Sequence, residues 1–117
     1  MKVFDIHERI FSFVVNTLKQ IKYFPQSEEN KIIINQLIRS VTSVGANDQE
    51  ADGVSSKRDF IHCYTIVRNE LKETRYWLSL LSELNPPLKM RLESSIKESD
   101  ELIKIISSII SKAALPS

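Results

Sequence analysis

The sequence predicts an all-α fold, an antiparallel up-down-up-down four-helix bundle, and three observations predict it. Apolar residues recur every three or four positions in four long segments. Compact breakers at Pro25, Gly53 and Asn85-Pro86-Pro87 divide those segments. No strand signal competes, because two glycines and four prolines are too few for a many-turned β protein, and runs such as Ile32-Ile33-Ile34 sit inside a helical period. Short breaks oblige neighbouring helices to run in opposite directions. A length of 117 residues without repeat or linker fits one domain, 1–117.

The first helix is expected over 5–23. Val3, Ile6, Ile10 and Phe13 form one stripe, and Phe11, Val14, Leu18 and Ile21 form a second beside it. Asp5 and Arg9, four apart, are placed to pair on its outside. Pro25 ends this segment, and Ser27 then serves as N-cap for a second helix over 28–52, with Glu28 and Glu29 complementing the dipole in its first turn. Ile34, Leu37, Val41 and Val44 make its apolar seam. Gln36, Ser40, Ser43 and Asn47 make a small or polar row that permits close helix approach. Gly45 lowers helix propensity and so calls for a packing reason, while Gly53 is a natural terminator.

Ser55 or Ser56 caps the third helix, over 57–84. Phe60, Tyr64, Val67, Leu71, Thr74, Leu78 and Leu81 step by four and three alternately, a heptad seam. Asn85-Pro86-Pro87 breaks the chain, and the fourth helix follows over 88–112. Its expected seam is Leu92, Ile96, Ile103, Ile106 and Ile110, with Glu93–Lys97 and Asp100–Lys104 as i,i+4 pairs on the polar face.

The totals exclude several function classes. Sixteen Lys+Arg against fifteen Asp+Glu leave a net charge of +1, so any nucleic-acid contact must be a local patch rather than a bulk field. The single cysteine, Cys63, cannot close an intramolecular disulfide and suits a reducing cytoplasm. Charges at Asp5, Glu8 and Arg9 interrupt any signal-peptide core, and no apolar run is long enough to span a membrane. A cytoplasmic location is the expectation.

No catalytic constellation emerges. Di-iron bundles need Glu-x-x-His pairs, and none is present; no metal and no cofactor is expected. Arg58 precedes His62 with only three residues between, short of the Arg-x4-6-His spacing of one family of helical ribonucleases. Cys63 has no base fixed beside it and reads as a buried inert thiol. What remains is a basic row. Arg68, Lys72 and Arg75 share one face of the third helix, Arg58 extends it, and Arg39 adds from the second. These five are the candidate phosphate contacts, set against a solvated or salt-bridged face. The helices also carry more apolar positions than one core needs, which points to self-association.

The order of Phe24-Pro25, Gln36-Leu37-Ile38-Arg39-Ser40, Ser43-Val44-Gly45-Ala46-Asn47, Glu50-Ala51, Ser56-Lys57-Arg58-Asp59-Phe60-Ile61 and Asn69-Glu70-Leu71-Lys72-Glu73-Thr74-Arg75-Tyr76-Trp77-Leu78 resembles the small four-helix-bundle family known as 23S rRNA intervening-sequence proteins. The resemblance implies a left-handed bundle assembling into a ring-like homopentamer with a central channel, in a bacterial setting, with no catalytic residues. It also implies kinship in fold with the accessory variability determinant protein of diversity-generating retroelements, a basic protein held to bind nucleic acid and a reverse transcriptase. By position, Gln36, Ser43, Asn47 and Glu50 match the family's helix-two pattern, and Glu70, Glu73 and Trp77 its helix-three pattern, with architecture and assembly as their implied role. The sequence departs from the pattern at Asp48-Gln49, where relatives often carry an apolar or aromatic residue.

Two readings stand side by side. One is a non-enzymatic oligomeric protein that binds RNA or a nucleic-acid-handling protein. The other is a protein-binding adaptor or scaffold with no affinity for nucleic acid. In both, the first partner is a further copy of the chain.

Overall fold

A computed structural model describes residues 5–116, so Val3 of the expected first stripe lies outside the described residues. Four α-helices occupy the described chain, with no strand among the described residues: α1, Ile6–Gln20; α2, Glu28–Ala51; α3, Lys57–Leu84; and α4, Lys89–Ala113. A 3-10 turn, Ile21–Tyr23, follows α1, and another, Pro86–Leu88, precedes α4. The helices pack side by side, α1 and α3 each against both α2 and α4.

Each boundary has a local cause. Asp5 is the N-cap of α1 rather than its first residue, and its carboxylate accepts from the backbone N–H groups of His7 and Glu8. The Asp5 carboxyl is held below its usual range chiefly by a side-chain hydrogen bond with Glu8 and then by the backbone N–H groups of Glu8 and His7. The expected Asp5–Arg9 pair is therefore not the one observed: Arg9 reaches across to Glu98 of α4, with nitrogen–oxygen distances of 2.6 and 2.7 Å. Phe24, restricted by the following proline, is extended (φ −87°, ψ 136°), which ends the helical run. Ser27 and Ser56 cap α2 and α3 through their hydroxyls, accepting from Asn30 and Asp59.

The end of α2 differs from a glycine-capped helix. Asp52 is still right-handed, and no residue among those described has a positive φ, Gly53 included. The N–H groups of Asp52 and Gly53 close the last turn onto the Gln49 and Glu50 carbonyls instead. At the other end of the molecule, Asn30 and Asn85 exchange two side-chain amide hydrogen bonds of 3.0 and 2.9 Å, tying the start of α2 to the end of α3.

The core follows the seams, with corrections. In α3, Tyr64, Val67, Leu71, Thr74, Leu78 and Leu81 are buried. In α4 the buried series is Leu92, Ser95, Ser99, Leu102 and Ile106, while Ile96, Ile103 and Ile110 are only half-buried. Two serines take places on the buried face, and the seam runs through Leu102 rather than Ile103. Burying each such leucine or isoleucine contributes about 1.5–3 kcal/mol. In α1, Thr17 joins Ile10 and Phe13 inside, and Phe11 of the second stripe stays 67% exposed. In α2, Ser40 is buried and accepts a 2.9 Å hydrogen bond from the Thr74 hydroxyl, and Asp48 is buried as well.

Candidate functional site

Six of the seven residues singled out for assembly come together on one face, along the groove between α2 and α3. On α2, Gln36, Ser43 and Asn47 follow one another at helical spacing, as do Glu70, Glu73 and Trp77 on α3. Arg39 donates to Glu73 Oε1 at 2.6 Å and to Gln36 Oε1 at 3.0 Å. The Trp77 indole N–H donates to the same Glu73 oxygen at 3.1 Å. Further along, the Ser43 hydroxyl donates to Glu70 Oε2 at 3.2 Å, and the Asn47 amide donates to the Ser43 carbonyl and hydroxyl. Glu50, one turn beyond Asn47, is exposed.

This network leaves one polar group short. Glu70 Oε1 is buried with no hydrogen-bond partner among the described residues. Burial pushes the Glu70 carboxyl above the usual range and the Glu73 charge adds to the effect, against the Ser43 bond, which lowers it. Around the polar centre lies apolar surface. Ile32, one turn before Gln36, is 61% exposed, and Leu84, two turns beyond Trp77, is 48% exposed. Tyr76 is 57% exposed and meets the Trp77 ring edge-on at 4.9 Å. Large exposed apolar side chains grouped around a polar strip are what an interface between chains presents.

The five candidate phosphate contacts do not form one patch. Arg39 lies on the α2 flank of α3, held by Glu73, whereas Arg75 lies on the α4 flank, where it donates to Asp100. Arg68 shares the Arg75 flank by spacing but is half-buried, and its Nε is buried without a hydrogen-bond partner among the described residues. Lys72 and Arg58 are exposed and form no ion pair among the described residues. His62, one turn from Arg58, is exposed too.

A second polar cluster was not anticipated. The Asp48 carboxylate, 1% exposed, accepts from the Tyr64 hydroxyl at 2.9 Å and lies 2.8 Å from His7 Nδ1, while His7 Nε2 lies 3.0 Å from Asp52 Oδ1. Both ring nitrogens face carboxylates, an arrangement that favours the doubly protonated ring, in which both donate. The Asp48 bond chiefly holds the His7 pKa above its ordinary 6.5. Burial first, and then Asp48, push the Tyr64 phenol far up. The legible signal was Asp48 itself, an acid in register with Val41, Val44 and Ala51 on the core face. The cluster heads a cleft of about 300 Å³ between α1 and α2, lined along its apolar length by Ile10, Phe11, Val14 and Gly45.

Cys63 is buried and unpaired, and burial raises its thiol pKa, with the Glu50 and Asp59 charges adding. Among the described residues no group of three or more His, Cys, Asp or Glu side chains is arranged to hold a metal ion. No helix among them is long and apolar enough to cross a membrane.

Residues 2–108 match the model of a family described as 23S rRNA-intervening sequence protein. No curated protein matches the chain. Among solved structures, the chain is similar to a protein of unknown function from the S23 ribosomal protein family of Bacteroides thetaiotaomicron VPI-5482. The two are 32% identical with a TM-score of 0.82, over 91% of this chain and 98% of that one.

Proposed function

The chain belongs to the 23S rRNA-intervening sequence protein family, and on that premise we propose that it is a non-enzymatic protein that works as an assembly of identical chains. In this reading each chain is a left-handed, antiparallel up-down-up-down bundle, and five chains form a ring. Support for the antiparallel course comes from the cross-helix hydrogen bonds: Asn30 meets Asn85, Ser40 meets Thr74 and Asp48 meets Tyr64, rising on α2 as they fall on α3. The observation that carries the assembly is the α2–α3 face, where Ile32, Tyr76 and Leu84 are exposed beside a polar strip whose buried Glu70 Oε1 has no hydrogen-bond partner among the described residues. A neighbouring chain would cover the apolar side chains and offer Glu70 a donor.

The partner of the ring is RNA or a nucleoprotein, reached through cations that no carboxylate neutralises. By that criterion Lys72 and Arg58 remain available on α3, whereas Arg39 and Arg75 are engaged at home. The test of assembly is the double variant Tyr76→Glu/Leu84→Glu. It should remain helical by circular dichroism yet sediment as a single chain, because both sites are surface positions of the monomer. A double variant with the same mass as the parent assembly would remove this face from the interface.

A further inference from the structure

We infer that a second surface, where the turn after α1 meets the start of α4, is a docking platform for a single strand of RNA; the inference rests on the RNA reading above and gives it a location. The Arg91 guanidinium lies over the Tyr23 ring, its carbon 3.6 Å from the ring centroid. Lys22 Nζ lies 5.4 Å from the same centroid. Tyr23 is 45% exposed, and Lys22 and Arg91 are exposed as well. Lys19, one turn earlier on α1, is exposed on the same stretch.

The cations of this surface lack a carboxylate partner among the described residues, as do Arg58 and Lys72 on α3, but here two of them sit beside one exposed aromatic ring. Arg9, Arg39, Arg75, Lys89 and Lys97 all have carboxylate partners. Lys19, Lys22 and Arg91 form no ion pair among the described residues, and the hydrogen bond Arg91 makes to the neutral Gln20 oxygen is long, at 3.4 Å. A clasp between α1 and α4 needs one cation on the ring. A second cation beside it adds repulsion that an arriving anion would relieve. With three cations and little net charge on the whole chain, the excess is local, as an electrostatic footprint requires.

The chemistry selects the ligand. Arg91 is braced by Tyr23 on one face and by Gln20 at one N–H, and being exposed it can offer a base its other face and a phosphate its remaining N–H groups. Lys19 and Lys22 extend the positive track along the backbone of the strand. An unpaired strand exposes base faces for such a stack, whereas a duplex hides them. Aromatic and guanidinium stacking with interleaved cations is the pattern of sequence-tolerant single-strand binding.

The experiment is fluorescence anisotropy of the full chain with a labelled twelve-nucleotide uridine oligomer, at about 50 and 200 mM salt. Arg91→Gln is expected to weaken binding about tenfold, within the range of losing one base stack. Lys22→Gln should weaken it and lower the salt slope by about one phosphate contact. Tyr23→Phe keeps the ring and should bind as the parent does; Tyr23→Ala should not. Should Tyr23→Ala unfold, Arg91→Gln decides alone. Parent-level binding by Arg91→Gln and Lys22→Gln, together with loss in Lys72→Gln/Arg58→Gln, overturns this location and leaves the RNA reading standing. A parent protein that ignores the oligomer and structured RNA at low salt overturns both. Equal binding of an oligoglutamate of the same charge overturns the RNA platform in favour of an acidic protein partner.

Discussion

Replacing His7 with alanine removes the cation that compensates a buried carboxylate. Asp48 is 1% exposed and would keep only the Tyr64 hydroxyl. Removing one partner of a fully buried ion pair costs about 3–5 kcal/mol. Here the His7 side chain is 31% exposed, so water reaches the pair from one side and reduces the cost below that of a fully buried pair, to about 2–3 kcal/mol. The bridge to Asp52, which is 64% exposed, adds less than about 1 kcal/mol. For a chain of this size the sum lowers the melting temperature by about 8–15 °C, at roughly 4 °C or more per kcal/mol. The assay is thermal unfolding followed by circular dichroism at pH 6, with Asp48→Asn and the double variant completing a cycle. In the Asp48→Asn background no charge needs compensation, and His7→Ala should cost less than about 1 kcal/mol. The pH dependence carries its own sign. The folded-state pKa of His7 is raised, so the contribution is fully present below the unfolded value of 6.5 and is lost as pH rises through the higher folded value. The gap between parent and His7→Ala should therefore narrow on the alkaline side. Equal costs of His7→Ala with and without Asp48, or a gap that widens above neutrality, would refute the reasoning.

Gly45→Ala should stabilise the protein by about 0.5–1 kcal/mol in chemical denaturation, since the added methyl meets Val14 Cγ2 at 3.4 Å, an ordinary contact, and helix propensity improves. Leu102→Ala should cost about 2–5 kcal/mol by the same measurement because Leu102 is fully buried, and Ile103→Ala, at a half-buried site, clearly less. Glu73→Gln should change stability by under about 1 kcal/mol, because Arg39 is more than half exposed, yet it should shift Trp77 fluorescence by weakening the indole's acceptor.

The helices were legible because capping and periodicity agree. Ser27, Ser56 and the Asn85-Pro86-Pro87 break fall where the observed helices start or stop, and the α3 heptad packs inward nearly throughout. The α4 seam departs from the hydrophobic pattern because isoleucine outweighs serine in such a pattern, yet Ser95 and Ser99 are the buried residues. Burial of Ser95 and Ser99 depends on how closely two helices approach, which one helix's sequence does not encode. The α1 register suffered likewise, with Thr17 inside and Phe11 outside. On the site, helical spacing sets Gln36, Ser43 and Asn47 in one row and the family resemblance names Glu70, Glu73 and Trp77; in the structure Glu73 serves Arg39 and Trp77 at once, a three-way contact between helices. Spacing could not tell that Arg75 would be drawn to Asp100 or that Arg91 would settle on Tyr23, because those partners are distant in the chain. His7 was passed over because its ligand, Asp48, lies 41 residues away.

The central claim is that the chain functions as an assembly, and sedimentation velocity of the unmodified protein tests it most directly. The account predicts a single species with about five times the 13.5 kDa of one chain, persisting on dilution to low micromolar concentration. A species of one chain's mass at every concentration and at low salt would contradict it.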